Sequence, residues 1–469
     1  MPGVPVGRAC DNCRKQKKKV CRLAIHAICK LLLTLSKCDE ARPTCSRCVR
    51  LQLVCVGSGQ KRYTFKGPQF FRKQLHQSEK TMLYTADGQK HLVAGPSLTP
   101  TNGFDLLAIS FVDAIKESTD IRYNLASNYG DFLGEAVRRL GANQALDASI
   151  KALVTAHTAF CTRQDDITTA LVHYSTALSQ LRICLDDPIK ARDANTLCAV
   201  MVLLICQGLN GVEGLRWTGH CEGAARILRA RGFYNPDDDF EQSILLSLRG
   251  PVLFEGILNH KIDFSPREWQ MLVNVDCRGD TPEDEMMRCL AHLREFLYLR
   301  RNSGSGQDEL LGHAPDLRSH YQQMNDILTG QRERLHRLEK SSSTVPEIPL
   351  STSVHCACQA AYGVGLVIAI VYNCVLSALF PEDEELSSDS AAFVADVLAL
   401  ARDAWKYRPL GSSYIALCLG AAWVGTISDS LRLAVERAWE EYGRDFIPGL
   451  QKPPFTELEW TSRQLRLID

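Results

Sequence analysis

The sequence carries no catalytic signature. It has no G-x-S-x-G elbow, no G-x-x-x-x-G-K phosphate loop, no G-x-G-x-x-G fingerprint and no H-E-x-x-H pair. Hydrolase, nucleotide-dependent and metalloprotease chemistry therefore have no starting point, and an enzyme is not expected. Charge of one sign is also missing overall, with 54 Lys and Arg against 54 Asp and Glu. Apolar heptads are absent between residues 60 and 130, so a leucine zipper has no support there. Residues 1–7 are Pro- and Gly-containing and a basic run follows, so no secretory leader is expected at this end. Without one, 19 cysteines read as reduced or metal-bound thiols rather than a disulfide scaffold.

What is present is sharply divided. Residues 1–80 hold 18 Lys and Arg against 4 Asp and Glu, a net of +14, and the remainder carries −14. Eight of the cysteines lie in the first 55 residues. A basic, cysteine-rich head on an acidic, apolar body implies that the head meets a polyanion and the body does not. A chain of 469 residues with 45% hydrophobic content allows two to four domains and a large core.

The head contains two C-x2-C pairs, Cys10/Cys13 and Cys45/Cys48, each able to grip one tetrahedral zinc. Six residues separate Cys38 from Cys45, and six separate Cys48 from Cys55. The gap from Cys13 to Cys38 is 24 residues, which breaks the regularity. Removing the 18 residues Val20–Lys37 leaves RKQKKK, again six, and the head becomes C-x2-C-x6-C-x6-C-x2-C-x6-C. That interrupting segment is apolar inside a polar motif. Its 18 codons are an in-frame length. Val20-Cys21 can be written GTATGT, Leu33-Thr34 CTAAC and Lys37 AAG, a splice donor, branch site and acceptor in turn. The segment therefore reads as a retained intron. The alternative is a loop between cluster halves, whose extra closure entropy is only about 1–2 kcal/mol.

The frame CDNCRKQKKK followed by CDEARPTCSRC resembles the fungal six-cysteine binuclear zinc cluster family of transcription regulators. The resemblance implies two Zn2+ held by Cys10, Cys13, Cys38, Cys45, Cys48 and Cys55, with Cys10 and Cys45 shared by both ions. It also implies that the helix after the first pair enters the major groove and reads CGG-like triplets. Gln16 and Lys17 occupy the reading positions, where the family usually has Arg or Lys at the first. Lysine can read guanine O6 and N7. Arg14, Lys15, Lys18, Lys19, Arg47 and Arg50 complete the DNA-facing set. All except Lys15, which has no more specific role, are read as phosphate contacts that fix position rather than sequence. Cys21, Cys29 and His26 of the interrupting segment are competing ligands. The small head has almost no apolar core, so metal binding supplies its folding free energy.

The expected organisation is a metal-stabilised head at 1–66 (with 20–37 the insert), a polar linker at 67–104, an all-α helical array at 105–445 and a C-terminal tail at 446–469. Apolar residues at three-and-four spacing run through the body. A helix break is expected at Gly250-Pro251. WTGHCEGAARILRARG and LRGPVLFEGILNHKIDFSPREW resemble the regulatory domain that commonly trails such clusters. Cys358–Phe380 is 23 residues without a charge, yet Gln359 and Asn373 favour a buried core helix over a membrane span. Cys356/Cys358, the trio Trp217, His220 and Glu222, and the acidic run Glu382–Glu385 read as core thiols, a packing cluster and a solvated turn.

The expected function is a nuclear, zinc-dependent, sequence-specific regulator of RNA polymerase II transcription. Its partners are double-stranded DNA and the transcription machinery, with no membrane. A homodimer stays open, without an evident coiled coil. One alternative is a helical interaction protein whose insert disables the head. Another is a ubiquitin-ligase type zinc module, which the six-residue gaps and the lysine run disfavour.

Overall fold

In the computed structural model the described residues are 48–49, 82–84, 90–92 and 103–466, the last range less the segments 117–118, 164–166, 211–217, 234, 236, 276–280, 304–311, 343–348 and 446–454. The chain divides into two compact units, Met1–Leu106 and Leu107–Asp469. The predicted linker contains a short antiparallel hairpin. Strand β1 (Met82–Tyr84) pairs with β2 (Lys90–Leu92), Leu83 opposite His91.

The second unit is helical throughout its described residues. The chain runs through α1 (Gly103–Ile115), α2 (Leu125–Tyr129), α3 (Phe132–Arg138), α4 (Gln144–Cys161), α5 (Thr168–Asp186), α6 (Ala194–Asn210) and α7 (Thr218–Arg231). Then come α8 (Asp239–Leu258), α9 (Pro266–Val273), α10 (Pro282–Ser303), α11 (Ala314–Ser342) and α12 (Pro349–Leu379). The last four are α13 (Glu384–Ala404), α14 (Ile415–Gly425), α15 (Asp429–Gly443) and α16 (Phe455–Leu465).

Local signals set these boundaries. Asn143 accepts from the backbone N–H groups of Ala145 and Leu146, and its amide reaches Thr196 Oγ1 at 3.1 Å. One side chain thus caps α4 and ties it to the start of α6. Ser265 and Glu268 form a reciprocal capping box with Pro266 in the first turn of α9. At the end of α7, Gly232 adopts φ +79, Phe233 N–H bonds to the Leu228 carbonyl and Gly232 N–H to that of Arg229. This is a Schellman ending, and the left-handed position favours glycine.

Two apolar helices organise the core. Helix α6 is buried on every side, with only Gly208 partly exposed, and packs between α4, α5, α7 and α8. Helix α12 packs against α11, α13 and α14. Its segment Thr352–Leu379 has a mean hydropathy of 2.0 and the length to cross a bilayer, but 78% of that window is buried inside the protein. An apolar helix buried on all sides by its own chain is a core helix.

The expected break at Gly250-Pro251 does not occur: α8 continues through Pro251 to Leu258. Proline in a helix interior costs about 3 kcal/mol. Leu245, Leu248, Val252 and Leu253 flank it and are wholly buried. At about 1.5–3 kcal/mol for each buried aliphatic side chain, tertiary packing outweighs the local penalty. The acidic stretch at 382–385 is also more than a solvated turn. Asp383 caps α13 through the N–H groups of Glu385 and Leu386 and pairs with Arg318 at 2.7 Å.

Candidate metal centre and other functional sites

Of the predicted zinc ligands, Cys48 is among the described residues. Cys10, Cys13, Cys38, Cys45 and Cys55 lie outside them, as do Arg14, Lys15, Gln16, Lys17, Lys18, Lys19, Arg47 and Arg50. Cys48 and Val49 are helical. Cys48 has 0% exposure, whereas Val49 beside it is 60% exposed. Neighbouring helical residues face directions about 100° apart, so the thiol turns inward and Val49 outward; an inward thiol fits a metal ligand, and it fits a core cysteine equally. The donor set also fits zinc, because thiolates at C-x2-C spacing suit a tetrahedral, borderline-soft ion.

The described residues of the second unit offer no comparable chemistry. Among the described residues no group of three or more His, Cys, Asp or Glu side chains is placed to hold a metal ion. Burial pushes the thiols of Cys161, Cys356 and Cys374 up to about 11, and those of Cys289 and Cys418 up to about 12. Cys198, Cys206 and Cys221 are raised further by the same cause. Protonated thiols are poor nucleophiles and poor ligands.

Cys161 approaches His157 Nε2 at 3.4 Å, which resembles a nucleophile–base pair. That nitrogen lies 2.7 Å from the Tyr123 carbonyl, and burial lowers the imidazole pKa. Nε2 donates to the carbonyl, so the lone pair free to accept is on Nδ1, which lies 3.9 Å from the sulfur, and burial keeps the thiol protonated. Cys356 Sγ donates to the Gly411 carbonyl at 3.0 Å and Cys358 is buried, so the C-x-C pair serves packing. His220 Nε2 and the Tyr174 hydroxyl share a 2.7 Å hydrogen bond, while Glu222 binds Asn259 and Lys261. His220 and Glu222 therefore face different partners, and Trp217 lies outside the described residues.

Residues 35–64 match the family model of the fungal Zn(2)-Cys(6) binuclear cluster domain. The match contains Cys38, Cys45, Cys48 and Cys55 of the six-cysteine frame, and it begins inside the last residues of the interrupting segment. This stretch thus matches a zinc-cluster domain, the module of fungal DNA-binding transcription regulators; the family's cluster is defined by two zinc ions and six cysteines, of which this stretch contains four. No curated protein and no solved structure matches the chain.

Proposed function

We propose that the chain is a zinc-dependent, sequence-specific DNA-binding regulator of RNA polymerase II transcription that acts in the nucleus. The observation that carries this reading is the zinc-cluster match over residues 35–64, joined to Cys10 and Cys13 by a frame that closes once Val20–Lys37 is removed. Six thiolates, Cys10, Cys13, Cys38, Cys45, Cys48 and Cys55, would hold two zinc ions and supply the folding free energy of the head. The run Arg14-Lys15-Gln16-Lys17-Lys18-Lys19 places five positive charges in six residues. Self-repulsion on so short a helix is relieved when phosphates release their counterions. Lys17, with Gln16, reads base edges of a CGG-like triplet, and Arg14, Lys18, Lys19, Arg47 and Arg50 grip the backbone. The helical second unit serves as the regulatory body that meets the transcription machinery.

The test uses the full chain with and without Val20–Lys37 on duplex DNA. Binding-site selection should return a triplet-containing sequence for the shortened chain. Lys17→Ala should relax sequence preference. Lys18→Ala should weaken all duplexes alike and lower the salt slope by about one unit. Equal, sequence-blind losses for both variants would overturn the division of roles.

One observation favours a second reading. Cys21, Cys29 and His26 stand between the two halves of the ligand set and can capture zinc. A transcript that always retains these codons would yield a helical interaction protein with a disabled head. Shortened and unshortened chains that bind DNA equally well would remove that reading.

A further inference from the structure

A cavity of about 940 Å3 lies between α8 and α14 and extends to α6, α12, α15 and α16. Its size falls at the upper end of small-molecule sites, roughly 300–1,000 Å3. On α14 the cavity is lined by Ala416, Leu417, Leu419, Gly420, Ala421 and Val424, three of them small. Residues of α8, Gly250, Pro251 and Glu255 among them, also line it. Small side chains leave open the space that larger ones would fill.

The wall carries both donors and acceptors, and its Lys and Arg side chains are already paired. Arg249 is committed to Asp284 at 2.5 Å, and Lys261 to Glu222 at 3.4 Å. The Tyr414 hydroxyl is a buried donor with no partner among the described residues. Asn259 donates to both Glu222 Oε1 and Glu255 Oε1 at 3.0 Å, holding two carboxylates side by side. Glu255 is half-buried and has no ion pair among the described residues.

We propose that this cavity binds an apolar organic cation, with its hydrocarbon body against α14 and its ammonium group beside Glu255 and Glu222. The apolar walls supply the affinity, and the carboxylates select the head group. The proposal stands on the second unit alone and does not depend on zinc or DNA binding by the head.

The test uses the full chain and the neutral fluorophore N-phenyl-1-naphthylamine, displaced in turn by decylamine, decanol and decanoate below their aggregation concentrations. The fluorophore should bind, and decylamine should displace it at least tenfold more effectively than decanol, with decanoate weakest. Glu255→Gln should abolish the tenfold preference and leave decanol within about twofold. Ala421→Trp, which fills the space, should reduce binding of all three at least tenfold while the far-ultraviolet circular dichroism is unchanged. Should Ala421→Trp misfold, Ala416→Leu gives the same reading. Absence of fluorophore binding, equal displacement by the three head groups, or an undiminished amine preference in Glu255→Gln would each overturn the proposal.

Discussion

Asp284→Ala should destabilise the second unit strongly. Asp284 opens α10, and its carboxylate receives Arg249 Nη1 at 2.5 Å, Thr281 Oγ1 at 2.7 Å and the Thr281 N–H at 3.3 Å. The pair ties α8 to α10, and its side chains are only 12% and 8% exposed. Removing the carboxylate strands the Arg249 guanidinium in a poorly hydrated site. Breaking a buried pair in this way costs about 3–5 kcal/mol. Replacing both partners avoids the stranded charge, so Arg249→Met with Asp284→Ala should recover most of the loss. Urea unfolding followed by circular dichroism measures both. The pH dependence follows from the same contacts. Burial pushes the Asp284 carboxyl up, but the Thr281 hydroxyl and Arg249 more than offset it, and the net shift is downward. A depressed carboxyl stabilises the fold above its unfolded value of about 3.9 and loses that contribution as pH falls through the lower folded value. A single-variant loss under about 1 kcal/mol, or a double variant as unstable as the single, would refute the reasoning.

Three further outcomes follow from the packing. Pro251→Ala should raise stability by about 1–3 kcal/mol, because it returns an N–H to the Ser247 carbonyl inside a continuous helix; a loss measured by urea unfolding would contradict the account of α8. Gly256→Ala should destabilise by about 1–3 kcal/mol, because the added Cβ would stand 2.6 Å from the Trp269 ring; thermal unfolding reads the effect. His292, stacked on His320 with ring centres 3.9 Å apart, is lowered to about 4, chiefly by burial. The unfolded chain binds that proton at about 6.5 while the folded one does not, so stability should fall as pH drops from about 6.5 to 4. His292→Gln should show a shallower fall in the same titration.

The parts of the fold legible in the sequence were those with strong local causes. Helix α6 announces itself by an almost unbroken apolar run, and α5 ends at the Asp186-Asp187-Pro188 stop signal. Gly232 marks the end of α7 because only a left-handed residue fits there. Pro251 misled because propensity is local, whereas the burial that holds α8 together comes from distant helices. The 29-residue α11 is easily passed over, since charged residues dominate it. Its signal is nonetheless present: Leu317, Tyr321, Met324, Leu328, Gln331, Leu335 and Leu338 alternate in steps of four and three and face α12.

The candidate sites divide in the same way. The zinc frame is written in consecutive residues, because metal geometry fixes the spacing of its ligands, and only the interruption at 20–37 obscures it. The cavity could not be read from sequence, because Gly250 and Ala421 are brought to its walls from positions 171 residues apart. Small residues in either helix alone signal nothing.

The most direct test of the central claim is the zinc content of the full chain lacking Val20–Lys37, measured by mass spectrometry under native conditions. Two zinc ions per chain, both lost when Cys10 and Cys45 are replaced by serine, is the predicted result. One ion or none, or two that persist in that double variant, would contradict a shared six-thiolate cluster.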